Sequence, residues 1–154
     1  MIDVTDAFRA IREMLKDNFP TLNLENADLK NPKRPSFYIN LVNQIDNRQD
    51  SEFIRTIFSF DLIYFAESTY KGYADLMGKQ SALSRIFLKP LTTKKYNKTI
   101  YLDVSQINFN PNTTDYVLNA VFNIEIIQLI SDKNRFNKVV NPELMDDLVI
   151  NTQI

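Results

Sequence analysis

The sequence predicts an α+β domain: an antiparallel, strongly twisted sheet of about four or five strands, two helices packed on one face of it, and a long projecting hairpin. Three observations carry this expectation. Phe53 to Phe65, FIRTIFSFDLIYF, sets Ile54, Thr56, Phe58, Phe60, Leu62 and Tyr64 against Arg55, Ile57, Ser59, Asp61 and Ile63, the two-residue period of a strand with one greasier face. Two other stretches repeat at helical spacing. The totals complete the picture: 154 residues, 44% hydrophobic and 24% charged, with six Pro and two Gly, describe one folded domain without long linkers. We expect that domain to occupy residues 1–141 and residues 142–154 to form a C-terminal tail docking on itself or on a neighbour.

In chain order, Val4, Ala7, Phe8, Ile11, Met14 and Leu15 fall on one side of a first helix and Asp6, Arg9, Arg12, Glu13 and Lys16 on the other, a pattern of packing on a sheet. Asp3 or Thr5 can cap its start, and Asn18 with Pro20 ends it. Thr21 to Leu24 reads as a short strand, and polar Glu25 to Ser36, with Pro32 and Pro35, as a surface loop. Ser36 to Val42 alternates Phe37, Ile39 and Leu41 with Tyr38, Asn40 and Val42, so a strand follows. Gln44 to Glu52, QIDNRQDSE, is expected to be the solvated tip of a hairpin leading into Phe53 to Phe65, the central strand.

Ser68 or Thr69 is placed to cap a second helix on which Tyr73, Leu76, Met77, Gln80, Leu83 and Phe87 form a core stripe, ending at Lys89-Pro90. Since the central strand has one strongly apolar face, both helices are assigned to that face. Gly72 and Gly78 weaken this helix by about 1 kcal/mol each relative to alanine, so packing has to hold it. Thr99 to Phe109 reads as one strand whose alternation slips near Gln106, the mark of a bulge. Asn110 to Asp115 reverses the chain. Tyr116 to Ile130 then forms the longest strand, apolar on both faces from Ile126 to Ile130, and at about 15 residues and 3.3 Å each it outreaches a small domain. Its end is expected to project and to be covered.

The absences are informative. With no Cys and no His, disulfides, thiolate nucleophiles, the usual zinc sites and the commonest acid-base group are excluded. A net charge of −1, from 18 basic and 19 acidic residues, points to no whole-molecule attraction to nucleic acid or anionic membrane. No apolar run approaches the roughly 20 residues that span a bilayer, and the first residues lack a secretory pattern. A soluble intracellular or assembled setting, with no membrane partner, is therefore expected.

Two constellations merit weighing. Asp61, Asp103 and Glu125 lie on polar faces of candidate strands, where three carboxylates that meet would bind a divalent metal and support a small hydrolase; solvated residues on an outer sheet face are the plainer account. Lys89, Lys94, Lys95 and Lys98, with Tyr96, form a basic loop suited to a polar partner or to DNA phosphates, though it lacks arginines and a stacking series. No Gly-rich phosphate loop exists, because the two glycines sit inside the second helix. A monomeric ligand-binding domain would need a pocket from Tyr64, Tyr70 and Tyr73, which no motif demands. No catalytic residue, metal or cofactor is assigned.

The order of elements resembles the tail terminator family of phage and phage-like contractile particles of low-GC Gram-positive bacteria. The likeness rests on the amphipathic start with Phe19-Pro20, the strand PSFYINLV at Pro35 to Val42, IRTIFSFDLIYF at Ile54 to Phe65, the helix Tyr73 to Phe87, the long strand YVLNAVFNIEIIQLI, and ELMDDLVIN at Glu143 to Asn151. It covers most of the chain, leaving the 89–98 loop and the helix glycines unmatched. The resemblance implies a non-enzymatic subunit that assembles as a hexameric ring on the head-proximal end of the tail tube. There it stops polymerisation of tube, and of sheath in a contractile particle, and offers a docking surface to the neck, with DNA passing through the lumen. It further implies assembly in the host bacterial cytoplasm and residence in the virion tail. A closed ring needs two different complementary surfaces, expected at the hairpin tip with Arg48, Asp50, Glu52 and Arg55 and at the tail with Leu144, Met145, Leu148 and Ile150. Another neck or tail-tube ring protein of the same particle is the structural alternative.

Overall fold

The computed structural model describes residues 1–25, 32–67 and 71–130. Helix α1 (Val4–Asn18) starts at Asp3, whose carboxylate accepts from the Asp6 N–H while Asp6 reaches back to the Asp3 N–H. This reciprocal pair satisfies two of the donors a helix start leaves open. Strands β1 (Asn23–Glu25), β2 (Ser36–Arg48) and β3 (Phe53–Phe65) follow, then α2 (Gly72–Ile86). The remaining strands are β4 (Leu91–Lys95), β5 (Lys98–Leu102), β6 (Val104–Asn112) and β7 (Val117–Leu129).

The main sheet runs β1-β2-β3-β7-β6, antiparallel throughout except for the short parallel pairing of β1 with β2. The central place of β3 is as the sequence predicts. Its inward residues Phe58, Phe60, Leu62 and Tyr64 are buried together with Ala7, Ala10, Ile11 and Leu15 of α1, Leu76 and Leu83 of α2, and Leu118, Ala120, Phe122 and Ile124 of β7. Phe60 meets Phe8 of α1 edge to face at 5.1 Å and Phe122 across the strand pair at 5.9 Å. Both helices therefore cover the same face. Burying each such aromatic side chain contributes about 1.5–3 kcal/mol.

Four expectations change. β2 does not stop at Val42: it pairs with β3 as far as Arg48, opposite Ile54, so the hairpin tip shrinks to Gln49–Glu52. Gln44 to Arg48 has one apolar residue, Ile45, among four polar ones, too few to give a period that marks a strand. The expected single strand 99–109 is two strands: Asp103 separates β5, which pairs with β4 in a second two-stranded sheet, from β6. Within β6 the bulge falls where the sequence predicts it, with the register shifting between Ser105 and Asn108 and Gln106 at φ 52°. The 89–98 loop is consequently a hairpin, turning through Tyr96 and Asn97 at φ 50° and 60°, the positive pair that matches strand twist in a two-residue turn.

The core stripe of α2 also differs. Tyr73 is 57% exposed, whereas Gly72, Leu76 and Leu83 are buried, so the stripe begins one residue earlier than expected. Gly72 explains this: a Cβ there would stand 2.4 Å from the Tyr116 ring, and only hydrogen fits. The helix has Lys71 as its N-cap with no side-chain capping bond; Ser68 and Thr69, the expected caps, lie outside the described residues, as does Tyr70. Arg34 ties the chain together from a position without any sequence signal, its guanidinium donating to the carbonyls of Ala66 at 2.7 Å and Asp115 at 3.0 Å.

Candidate partner-binding ribbon

Beyond the core, β2, β3 and the last residues of β7 continue as a three-stranded ribbon. Its tip is built by its own side chains. The Asp50 carboxylate accepts from the N–H groups of Glu52 and Phe53 at 2.7 and 2.9 Å, and Arg48 Nε donates to the Asp50 carbonyl at 2.9 Å. Arg48 and Asp50 thus shape the turn that presents Glu52, a local use of Asp and Arg that competes with ladder bonding.

On the face turned away from the helices, Arg55 makes a bidentate pair with Glu125 at 2.8 and 2.9 Å, across the β3–β7 register. The bond from Arg55 lowers the Glu125 carboxyl below its ordinary value, and Glu125 raises Arg55 in return. Around this pair lie apolar side chains in water: Ile45 at 43%, Phe53 at 38% and Ile127 at 62% exposed. Val42, the extra residue of a bulge between Leu41 and Asn43, is 58% exposed. Among the described residues this is where large apolar groups gather at a sheet surface, the composition of a contact site.

Further along the same face the surface turns polar. Ser59 Oγ donates to Asn123 Oδ1 at 2.8 Å, Asn123 Nδ2 to Gln106 Oε1 at 3.0 Å, and Asn119 Nδ2 to Asp61 at 3.1 Å. Burial pushes the Asp61 carboxyl up, and the bond from Asn119 only partly opposes it. The three acids weighed as a metal set stand apart in role and place. Asp61 lies opposite Val121 and is taken by Asn119, Glu125 is held by Arg55, and Asp103 is the break between β5 and β6. Among the described residues no group of three acids is placed to hold a metal. The Tyr64 hydroxyl is buried and donates to Asp75 at 2.6 Å, both of which raise its pKa.

The basic hairpin divides as well. Lys95 turns inward, its Nζ 2.7 Å from Asp6 Oδ2 and also donating to the Met1 carbonyl, and the Lys94 carbonyl accepts from Arg9. Asp6, 3% exposed, is pulled upward by burial, but the bonds from Lys95 and the Asp3 N–H outweigh this and hold its carboxyl low; Asp6 in turn raises Lys95. Lys89, Lys94 and Lys98 remain exposed. Lys95 fastens β4 to α1, a role that only tertiary contact reveals. The tail residues Leu144, Met145, Leu148 and Ile150 lie outside the described residues.

Comparison with known proteins bears on one point above all. A family model described as phage tail terminator protein matches residues 6–135, a span that takes in all but the first two residues of α1, the whole of α2, the main sheet and the ribbon. No curated protein matches. One solved chain, known only by a sequence identifier, is 14% identical over 84% of this chain and 96% of its own, with a TM-score of 0.37, too distant to weigh.

Proposed function

The chain belongs to the phage tail terminator family, whose members are structural proteins of the phage tail, and from that premise we propose that six copies close as a ring on the head-proximal end of the tail tube. The ring stops further addition of tube, and of sheath where the tail contracts, and presents a docking surface to the neck protein. DNA passes through its lumen, past the exposed Lys89, Lys94 and Lys98. The subunit assembles in the host bacterial cytoplasm and stays in the tail of a phage or phage-like particle. The family match carries this reading; the apolar ribbon around Arg55 and Glu125 supports it, since a subunit that acts by contact needs surface of that kind. Glu52 and Arg55 at the ribbon, and Leu144, Met145, Leu148 and Ile150 in a tail extending from the 1–141 domain, are the proposed contacts.

The test is a length assay. Tube protein polymerised alone and with this chain is imaged by electron microscopy. Tubes that stop growing and carry a ring at one end support the proposal, and tubes of unchanged length distribution with bare ends overturn it.

A further inference from the structure

The ribbon has two bare edges. β1 covers β2 only from Ser36 to Tyr38, so among the described residues the outer edge of β2 from Ile39 to Arg48 has no strand beside it. On the opposite side, β6 pairs with β7 from Val117 to Ile124 and no further, which among the described residues leaves the outer edge of Glu125–Leu129 without a strand. Unpaired backbone donors and acceptors along an edge template the addition of another strand, and proteins that avoid this place Lys, Pro or strong twist there. The segment Ile39–Arg48 contains no Lys and no Pro. Its bulge at Val42 protects one point; from Asn43 onward Asp46 is bonded to Thr56 and Arg48 to the turn, and neither guards the edge.

We infer that the bare edge of β2 in one copy pairs with the bare end of β7 in the next, so that the ribbon sheets run on from subunit to subunit. The direction follows from the register. β2 and β7 are each antiparallel to β3, hence parallel to one another, and a neighbour in the same orientation offers its β2 parallel to β7. A contact between two different edges is head-to-tail and closes into a ring, whereas β2 against β2 would be antiparallel and give a two-fold dimer. The side chains agree: Ile45 and Ile127 sit on the same face, two rungs apart in the register, so a shift of two rungs between copies sets them side by side across the new strand pair.

This inference rests on the ring proposed above, and cross-linking separates the two. The chain has no cysteine of its own, so Ile45→Cys and Ile127→Cys, both at exposed positions, give a clean background. With a short bis-maleimide the double variant is expected to form a ladder of covalent multimers ending at the ring size, and each single variant to stay monomeric. Dimers from Ile45→Cys alone would mean two-fold pairing through β2 and would overturn the inference. A ring-sized mass by light scattering without a ladder would overturn it too, while leaving the terminator reading intact. A monomeric mass without a ladder would likewise remove edge pairing, and the tube-length assay would then judge the terminator reading separately. As a second readout, Asn43→Lys with Ile45→Lys is expected to reduce the mass to one subunit while the circular dichroism and melting of the monomer stay unchanged; a mass unchanged by both lysines would also sink the pairing.

Discussion

The same three strands live two different lives at their two ends. Toward the helices, alternate residues of β3 from Phe58 to Tyr64 are at most 1% exposed, while toward the tip Phe53, Ile45 and Ile127 give their apolar surface to water. Strand pairing runs through both ends, interrupted only by the bulge at Val42, so backbone pairing is common to them and side-chain cover is what differs. The covered end stabilises the fold. The ribbon end keeps apolar area available on the face turned from the helices, and a sheet that does so is equipped for a partner.

The sharpest way to break this comparison is to truncate one residue at each end. Phe60→Ala should lose about 3–5 kcal/mol, enough to unfold a small domain under mild conditions, whereas Ile127→Ala should move monomer stability by no more than about 0.5 kcal/mol. Urea titration of both variants checks it, and similar losses would mean the ribbon is part of the core. A smaller contrast uses the two helix glycines. Gly72→Ala drives a methyl into the Tyr116 ring and should cost about 1–3 kcal/mol. Gly78, with nothing within 4 Å of an added Cβ, should gain about 1 kcal/mol on replacement by alanine. Thermal melts that shift in the same direction would show that the close approach to Tyr116 does not govern the site.

A third prediction concerns pH. Asp6 titrates below 3.8 when folded, so its stabilising contribution is complete above that value and is lost as pH falls through the lower folded one. Lys95 titrates above 10.5 when folded; its contribution is complete below that pH and fades as pH rises through the higher folded value. Asp6→Asn should therefore flatten the acid limb of melting temperature against pH, and an unchanged limb would put the acid sensitivity elsewhere. The smallest effect is expected at the ribbon: Arg55→Ala should weaken the monomer only slightly, by an amount that shrinks as salt is added. A large, salt-independent loss would mean that the Arg55–Glu125 pair is structural.

Much of the covered end was legible in the sequence, because burial imposes period. α1, β3, β7 and the slip near Gln106 all announce themselves through alternation or helical spacing. The parts that were not legible are those where one side chain's role depends on a distant one. Lys95 looks like a member of a basic loop until Asp6 is beside it, and Gly72 looks like a weak helix residue until Tyr116 fills the space above it. The far half of β2 has Ile45 as its one apolar residue after the bulge, so no period marks it as a strand. Of the candidate site, Arg48, Asp50, Glu52 and Arg55 were within reach as a charged hairpin end. The bare edges were not, since an edge is defined by which strands are missing beside it.

The bulge at Val42 has a further consequence. Phe37, Ile39 and Leu41 face the helices, yet after one unpaired residue it is Gln44 and Asp46 that share their side, and Ile45 looks the other way. In effect β2 carries a spare letter: removing Val42 would restore plain alternation without changing which way Ile45 points. The hairpin can therefore lose a residue, straighten and aim its tip elsewhere while every rung from Ser36 to Leu41 keeps its partner. A chain built this way has freedom to re-target its reach by a single deletion, with the packed half of the sheet as an undisturbed anchor.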